Sequence, residues 1–316
     1  MIVMRRRTLL SLGGAAVAAS GGWMAYSMTS VSNSVLPEHL LQQLKPSPRM
    51  PVMFVGHGSP MNVIEDTRWR QSWKALGQEL ATKGIAPQMI LCISAHWLTE
   101  DHWALTGMAQ PRTIHDFGGF PQELFAQQYP APGAPEVAKT LAGELYSTVD
   151  GKPLLVDHEW GFDHGTWSVL LPMFPEAKIP VLQLSMPYAQ APEKHYELGL
   201  QLRALRDRGV LIVGSGNVVH NLRALRREVA DNQAFDWALQ FDADVQQRWA
   251  SGNLADLSNF LEWGPQARLA HPTHDHYLPM LYSAGAVLEG EAPRVFNDAF
   301  QYGALSMRSA IWGLQG

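Results

Sequence analysis

Three of the 12 histidines in the chain follow short apolar stretches of sequence, either directly or after a turn that contains glycine or alanine. They are His57, His96 and His220, and the apolar stretches end at residues 55, 93 and 213. Imidazole is a ligand of first-row metal ions, and it also takes up and releases protons near neutral pH. Three histidines in one shared context therefore predict a site for metal-dependent or acid–base chemistry.

A fourth group of candidate ligands occurs later in the chain, where the sequence His-Pro-Thr-His-Asp-His occupies residues 271–276. The pattern lacks the fixed spacing of a motif such as HExxH, so spacing alone does not identify the ion. Imidazole combined with carboxylate suits Zn(II) or Fe(II), and three protein ligands with open positions are typical of a catalytic site. The single cysteine, Cys92, excludes an internal disulfide and a multi-cysteine metal site.

Apolar stretches alternate along the chain with segments of helical periodicity, which is typical of an α/β protein. We predict strands at residues 51–55, 89–93, 179–184, 210–213 and 294–296. We predict helices at residues 66–83, 134–147, 192–208, 233–249 and 252–262, and a closing helical turn near residues 305–311. The expected fold is a single α/β domain, residues 49–316, with a central, mostly parallel sheet flanked by helices on both faces. Such sheets bind ligands at the carboxyl ends of their strands, where the three histidines would meet.

The composition predicts a folded protein with a sizeable core. Of 316 residues, 46% are hydrophobic and 17% are charged, which excludes a mainly disordered chain. The chain has 24 Lys and Arg residues and 29 Asp and Glu residues, a formal net charge of -5. Because there is no basic excess to neutralise a phosphate backbone, nucleic acid is not an expected partner.

The amino terminus has the pattern of an export signal. Three arginines at positions 5–7 precede an uncharged stretch at residues 8–24 that is rich in Leu, Ala, Val and Gly. The pattern resembles a twin-arginine signal, so we expect residues 1–30 to engage the twin-arginine export machinery and residues 31–48 to form a linker. The protein is then expected in the periplasm. The alternative is an uncleaved membrane anchor, for which the uncharged stretch is short and rich in glycine.

Six motifs stand in order along the chain. They are Gly-His-Gly-Ser-Pro-Met-Asn at 56–62, Ser-Ala-His-Trp at 94–97, Thr-Ile-His-Asp-Phe-Gly-Gly-Phe-Pro at 113–121, Trp-Gly-Phe-Asp-His-Gly-Thr-Trp at 160–167, Gly-Asn-Val-Val-His-Asn-Leu at 216–222 and His-Tyr-Leu-Pro at 276–279. Together they resemble the class III extradiol ring-cleavage dioxygenases of the 4,5-DOPA dioxygenase type, from about residue 50 to the carboxyl end. The export-like leader is not part of the resemblance and departs from the usual cytoplasmic members.

The resemblance implies that His57, His96 and His276 bind the metal. It makes His220 the acid–base residue beside the metal, and the equivalent residue is sometimes counted as a further ligand. More distant members use a carboxylate as third ligand, and Asp275 stands beside His276, so the choice between these two stays open. The resemblance also implies Fe(II) for catalysis, because zinc has no accessible redox chemistry. It allows Zn(II) as an ion that the purified protein can hold.

Other residues of the motifs are implied to contact the substrate. His164 would line the pocket as a second catalytic residue and hydrogen-bond a catechol oxygen or dioxygen, while His115 would lie near the mouth. Trp97 and Trp167 stand beside histidine motifs, where an indole could form a wall for a flat ring. The implied reaction opens the aromatic ring of a DOPA-like catechol with dioxygen, at the bond next to the diol.

Two other functions are compatible with a histidine cluster in an exported protein. One is a zinc-dependent hydrolase, in which the metal generates hydroxide. The other is a non-enzymatic periplasmic protein that binds or stores metal. Metal content and catechol turnover together distinguish the three, because only the dioxygenase needs iron and consumes oxygen with a catechol.

Overall fold

The computed structural model describes residues 43–314. The predicted export signal, residues 1–30, and the predicted linker as far as residue 42 lie outside the described residues. The last part of that linker packs against the domain, since Leu44 is buried in the core. The Ser47 backbone N–H also donates to the carbonyl oxygen of Asp207 at 3.0 Å. Packing against the domain therefore begins before residue 49.

In the described part of the chain, eight strands form one mixed sheet and two short strands form a separate pair. The strands are β1 (Val52–Gly56), β2 (Met89–Thr99), β3 (Ala104–Thr106), β4 (Leu155–Asp157), β5 (Val181–Pro187), β6 (Val210–Gly216), β7 (Arg294–Asn297), β8 (Phe300–Gln301), β9 (Leu305–Ser306) and β10 (Ser309–Trp312). Their order across the large sheet is β4-β3-β5-β2-β6-β1-β10-β7, and β8 pairs with β9.

The four central strands, β5, β2, β6 and β1, are parallel to one another. On one side β10 pairs antiparallel with both β1 and β7, and on the other side β3 pairs antiparallel with β5 and parallel with β4. β1, β5 and β6 are buried along their whole length, as expected for parallel strands that are covered on both faces. The predicted α/β fold with a mostly parallel sheet is confirmed.

Helices cover both faces of the sheet. They are α1 (Arg68–Thr82), α2 (Gln122–Phe125), α3 (Pro135–Glu144), α4 (His164–Met173), α5 (Pro192–Leu202), α6 (Asp236–Ser251), α7 (Pro265–Ala270) and α8 (Leu278–Ala286), with 3-10 segments at Pro60–Val63, Arg203–Arg208, Leu222–Ala224 and Leu254–Glu262. Phe54 of β1 belongs to the core under α5, α6 and α8, whereas its neighbour Val55 belongs to the core under α1 and α4. Among residues 43–314 no helix combines the length and the apolar character that a membrane crossing requires.

The helical turn predicted near residues 305–311 is wrong, because this segment forms β9 and β10. β10 lies between β1 and β7, with Ala310 opposite Phe54. A short strand that is buried on both faces shows no alternation of polar and apolar residues. One of its partners, β1, lies at the other end of the domain's sequence, so the local sequence carries no sign of that pairing.

β2 also continues beyond its predicted end, to Thr99, so that His96 lies within the strand rather than after it. The pairing of β2 with β5 shifts between Ile93 and Leu98. Irregularities of this kind bend a strand and redirect its side chains, and they are common next to active sites. Here the irregular stretch contains His96.

Candidate metal centre

The carboxyl ends of β1 and β6 bring predicted site residues together at one edge of the sheet. His57 follows β1 directly, and its backbone N–H donates to the carbonyl oxygen of Gly216, the last residue of β6, at 3.0 Å. His276 reaches the same place from the segment before α8, where its carbonyl oxygen accepts from the backbone N–H of Asn217 at 2.8 Å. A Cβ atom at Gly216 would collide with that carbonyl oxygen, so the close approach requires glycine.

A serine fixes the ring of His57. Nδ1 of His57 lies 3.0 Å from Oγ of Ser215, and the Ser215 hydroxyl donates to the carbonyl oxygen of Gly165. Because the hydroxyl hydrogen is already used, the Nδ1–H of His57 must donate to Oγ. The proton of the neutral ring is therefore on Nδ1, and the lone pair of Nε2 is free to bind a metal.

Asp116 orients two further imidazoles. Its Oδ2 lies 3.2 Å from Nδ1 of His96, and its Oδ1 accepts from Nδ1 of His164 at 3.0 Å and from the His164 backbone N–H at 2.9 Å. Both histidines thus keep Nε2 free, and Nε2 of His96 lies 3.3 Å from Nε2 of His57. Burial raises the pKa of Asp116, but its hydrogen bond and charge interactions with the two histidines outweigh burial and lower the pKa to about 2.

His276 completes a group of three. Its Nδ1 is hydrogen bonded to Oδ2 of Asp275, which leaves Nε2 free. One ring nitrogen from each of His57, His96 and His276 lies within 4.8 Å of the other two, and we name these residues the three-imidazole group. Three nitrogens bound tetrahedrally to one zinc ion lie roughly 3 to 3.5 Å apart, so only a small contraction is needed. The geometry favours His276 as a ligand, because Asp275 is engaged with its Nδ1.

Two further clusters of potential ligands share members with the three-imidazole group. One joins His96 to Asp116 and His164, and the other joins His276 to Asp275 and His220. In each cluster a carboxylate oxygen of the aspartate pairs with Nδ1 of a histidine. A carboxylate behind a ligating imidazole fixes its orientation and raises its basicity. The two aspartates therefore suit the role of supporting groups.

Burial keeps the three-imidazole group neutral. It lowers the pKa of His57, His96 and His276 well below the usual value, and the neighbouring rings lower the pKa of each further. Metal ions bind the lone pair of neutral imidazole and compete with protons for it. The donor set therefore fits a first-row metal ion.

A buried carboxylate, Asp163, fixes α4 relative to β2. It caps α4 by accepting from the Thr166 backbone N–H at 3.1 Å, and it accepts from the Ser94 hydroxyl at 2.6 Å. The Ser94 oxygen in turn accepts from the backbone N–H of His96 at 3.2 Å. Burial is the main cause that raises the pKa of Asp163 to about 6. Since His164 is the first residue of α4, this network sets its distance from His96.

His220 lies against the ring of His276. The two rings stack with their centroids 3.4 Å apart and their planes 4° from parallel. The backbone N–H of His220 donates to the carbonyl oxygen of Ala270 at 2.9 Å, which holds the segment in place. Burial lowers the pKa of His220 to about 4. His220 is therefore a neutral ring beside the three-imidazole group, able to accept a proton.

A cavity of about 590 Å³ has the three-imidazole group, His164 and His220 in its wall. The rest of the wall is largely apolar and includes Met61, Phe117, Phe120, Leu222 and Leu225. Cavities of this size hold small organic ligands, and apolar walls around a few polar groups are typical of such sites. The size and the lining suit an aromatic ring whose polar edge faces the imidazoles.

Trp97, which is predicted to contact substrate, is absent from the described residues that line this cavity. It follows His96 on β2, and successive residues of a strand project to opposite faces of the sheet. Its ring instead stacks on Trp160, with centroids 5.8 Å apart. Phe117 and Phe120 provide the aromatic wall that was predicted for Trp97 and Trp167.

His115, the other predicted substrate contact, also does not belong to the cavity wall that the described residues form. Its Nε2–H donates to the carbonyl oxygen of Gln127 at 3.0 Å. Its ring packs against Phe117 and Trp167, with centroids 5.7 and 5.4 Å away. His115 therefore packs against Phe117, which lines the cavity, without lining the cavity itself.

Asp116 and Ser215 are site residues that the sequence analysis does not single out. Asp116 stands next to His115 in the third motif, and Ser215 stands in the glycine-containing turn before His220. Their partner imidazoles are distant in the chain, so the local sequence cannot reveal the hydrogen bonds. A carboxylate or hydroxyl beside a histidine motif is the only sequence signal for such a role.

We expect Ser215→Ala to weaken the binding of a divalent metal about 10- to 100-fold, because a ligating histidine loses the partner of its second nitrogen. Equilibrium dialysis of the full-length protein against Zn(II) measures the effect. Ser283→Ala is the matched control, since it removes another buried hydroxyl, which donates to the carbonyl oxygen of Met53. The control should keep the wild-type affinity, and an unchanged affinity in Ser215→Ala would contradict the assignment.

The similarity of this chain to known proteins covers most of its length. The family described as the catalytic LigB subunit of aromatic ring-opening dioxygenase matches residues 51–311. The 4,5-DOPA dioxygenase extradiol of Escherichia coli K12 is 44% identical over 272 residues, which are 84% of this chain and 96% of that protein. The 4,5-DOPA dioxygenase extradiol of Beta vulgaris is 34% identical over 260 residues, 81% of this chain and 94% of that protein.

A solved structure supports the same relationship. The crystal structure of an uncharacterized protein from Escherichia coli K12 matches with a TM-score of 0.69 at 38% sequence identity, and the match covers 84% of this chain and 100% of that chain. The family match includes every residue of the three-imidazole group together with His164 and His220. Relatives named as dioxygenases at this identity favour the dioxygenase over the two alternatives, a zinc-dependent hydrolase and a non-enzymatic metal-binding protein. The chain belongs to the family of the catalytic LigB subunit of aromatic ring-opening dioxygenase and is an extradiol dioxygenase.

Proposed function

We propose that this enzyme opens the ring of a DOPA-like catechol with dioxygen, using Fe(II) held by the three-imidazole group. The observation that carries the proposal is that His57, His96 and His276 each have Nδ1 engaged by a neighbour and Nε2 free. Two relatives, at 44% and 34% identity, carry the name 4,5-DOPA dioxygenase extradiol, and this supports a DOPA-like substrate.

The choice of iron follows from the reaction rather than from the donor set. Fe(II), when bound, supplies the open coordination positions and the redox chemistry through which a catechol and dioxygen react. Three imidazoles also bind Zn(II), but zinc has no accessible redox chemistry. We therefore propose Fe(II) as the catalytic ion and Zn(II) as an ion that the purified protein also takes up.

The residues beside the three-imidazole group handle protons and orientation. A catechol must lose a proton before its ring is opened, and His220 is the neutral imidazole on the cavity wall that receives it. The Nδ1–H of His164 donates to Asp116, so Nε2 of His164 is an acceptor. That atom therefore suits a hydrogen bond from a catechol hydroxyl. Phe117 and Phe120 line the cavity where the aromatic ring of the catechol would bind, and their apolar side chains would exclude water from it.

The test is anaerobic reconstitution of the full-length protein with Fe(II), followed by an oxygen-uptake assay with a panel of catechols. We expect oxygen uptake that requires both iron and a catechol, and a ring-opened semialdehyde as product. The zinc-loaded protein should take up no oxygen. Turnover of esters or amides by the zinc form, with no oxygen uptake by the iron form, would contradict the proposal.

We further propose that the enzyme is periplasmic and is exported by the twin-arginine machinery. The support is the run of arginines at positions 5–7 followed by the uncharged stretch 8–24. Twin-arginine export carries folded proteins, which suits an enzyme that loads its metal before export. The membrane anchor remains the less favoured option, because the uncharged stretch is short and rich in glycine.

Replacement of Arg5 and Arg6 by lysine is expected to stop export. Lysine keeps the positive charge, so only a receptor that reads arginine should respond to the change. Cell fractionation with antibody detection measures the share of protein in the periplasm. Normal amounts of the double-lysine protein in the periplasm would rule out the twin-arginine assignment.

A further inference from the structure

The charged and polar groups of the cavity differ between its floor and its mouth. The imidazoles are buried, with exposed fractions of 2% for His57 and 6% for both His164 and His276. Glu65 and Arg227 also line the cavity, but both side chains are exposed. A catechol with its diol at the imidazoles would extend its side chain towards these two residues.

Glu65 and Arg227 are the charged residues of the described cavity wall that are not engaged with the imidazoles. The third charged residue of the wall, Asp116, is committed to His96 and His164. Within residues 43–314 neither Glu65 nor Arg227 forms an ion pair with another side chain. One negative and one positive group at the mouth are therefore free to bind a ligand.

Tyr302 holds Arg227 at the mouth. The guanidinium carbon of Arg227 lies 5.8 Å from the centre of the Tyr302 ring, and the backbone N–H of Arg226 donates to the carbonyl oxygen of Tyr302 at 3.0 Å. Tyr302 lines the cavity, and its backbone has a left-handed conformation with φ 54°. Such a conformation is unfavourable for a bulky residue and persists only where the surrounding structure imposes it.

Hydrogen bonds connect the segment that contains Tyr302 to His57 and to the segment that contains Glu65. Gln301, beside Tyr302, donates from Nε2 to Oδ1 of Asn62 at 3.0 Å, and Asn62 donates from Nδ2 to the carbonyl oxygen of His57 at 3.1 Å. The backbone N–H of Glu65 donates to the carbonyl oxygen of Met61, in the same short helix as Asn62, at 2.9 Å. The backbone positions from which Glu65 and Arg227 extend are thus fixed relative to the imidazoles, which favours selective binding.

We propose that Arg227 and Glu65 select catechols whose side chain is a zwitterion, with Arg227 binding the carboxylate and Glu65 binding the ammonium group. This inference rests on the proposed ring-opening function and assigns the residues that recognise the substrate's side chain in the same cavity. A guanidinium binds a carboxylate through two parallel hydrogen bonds, and a carboxylate binds an ammonium group through charge-assisted ones. A ligand that carries both groups satisfies both side chains at once.

Four catechols test the inference with the iron-loaded full-length enzyme: DOPA, dopamine without the carboxylate, dihydrocaffeate without the ammonium group, and 4-methylcatechol with neither. We expect Arg227→Gln to lower kcat/KM about tenfold for DOPA and dihydrocaffeate. The carboxylate of each of these substrates loses its charge-assisted hydrogen bonds to the guanidinium, at an exposed site. Glu65→Gln should lower kcat/KM by a similar factor for DOPA and dopamine. Both variants should keep the wild-type kcat/KM for 4-methylcatechol.

Arg226→Gln is the matched control, since the Arg226 guanidinium lies 4.5 Å from the centre of the Phe235 ring and does not belong to the described cavity wall. It should leave all four values unchanged. Equal losses for all four catechols in Arg227→Gln, or no loss for any, would overturn the inference. If the wild type opens none of the four rings, the proposed function fails. The affinities of the four catechols, measured under anaerobic conditions, then test the inference about Arg227 separately. A preference for DOPA that disappears in Arg227→Gln supports the inference, and an unchanged preference contradicts it.

Discussion

Replacement of either His57 or His96 by alanine is expected to abolish stoichiometric metal binding and all ring-cleaving activity. The two free Nε2 atoms lie 3.3 Å apart, a separation that one shared metal ion requires. A catalytic site with about three protein ligands has none to spare, because its remaining positions are open to reactants. Metal analysis after Fe(II) reconstitution and desalting, together with oxygen uptake with DOPA, measures both losses.

His102→Ala is the matched control for these two variants. His102 is an exposed histidine shortly after β2, and its Nδ1 lies 3.1 Å from a carboxylate oxygen of Asp101. The control should retain one iron per chain and wild-type turnover. Thermal unfolding of the metal-free proteins checks that each alanine variant is folded. Full iron occupancy in folded His57→Ala or His96→Ala would overturn the assignment of that residue as a ligand.

The position of these histidines after apolar runs is sufficient to predict that they meet. A buried parallel strand is recognisable as an apolar run, and parallel strands share one carboxyl edge, so residues that follow such runs converge. This placed His57, His96 and His220 around one cavity without any knowledge of strand order. The same reasoning predicted the α/β class and four of the eight described α-helices, α1, α3, α5 and α6, since each of these has a helical periodicity of its own.

What the sequence could not reveal depends on contacts between distant segments. The context of His220 resembles that of His57 and His96, yet the structure places His276 with those two and stacks His220 beside it. No periodicity marks the segment before α8, and its close approach to Gly216 is a tertiary contact. β10 is missed in part for the same reason, because one of its two partners, β1, lies at the other end of the domain's sequence.

Replacement of His220 by glutamine is expected to leave the iron content at the wild-type level and to slow ring cleavage about 100- to 10,000-fold, the usual loss when a positioned acid–base group is removed. His220 stacks face to face on His276, with centroids 3.4 Å apart. Stacked parallel rings direct their nitrogens within parallel planes, so His220 can face the same cavity without sharing the point at which the three free Nε2 atoms meet. Glutamine keeps similar bulk and hydrogen-bonding capacity but cannot carry a proton.

Iron content and turnover should therefore separate in His220→Gln, whereas they fall together in the His57 and His96 variants. His164→Gln is the informative comparison, because His164 is also on the cavity wall and has Asp116 at its Nδ1, the arrangement of a general base with a supporting carboxylate. If His220 is the base, His164→Gln should lose less activity than His220→Gln. A His220→Gln protein without iron would make His220 a ligand, and a larger loss in iron-loaded His164→Gln would move the proton transfer to His164.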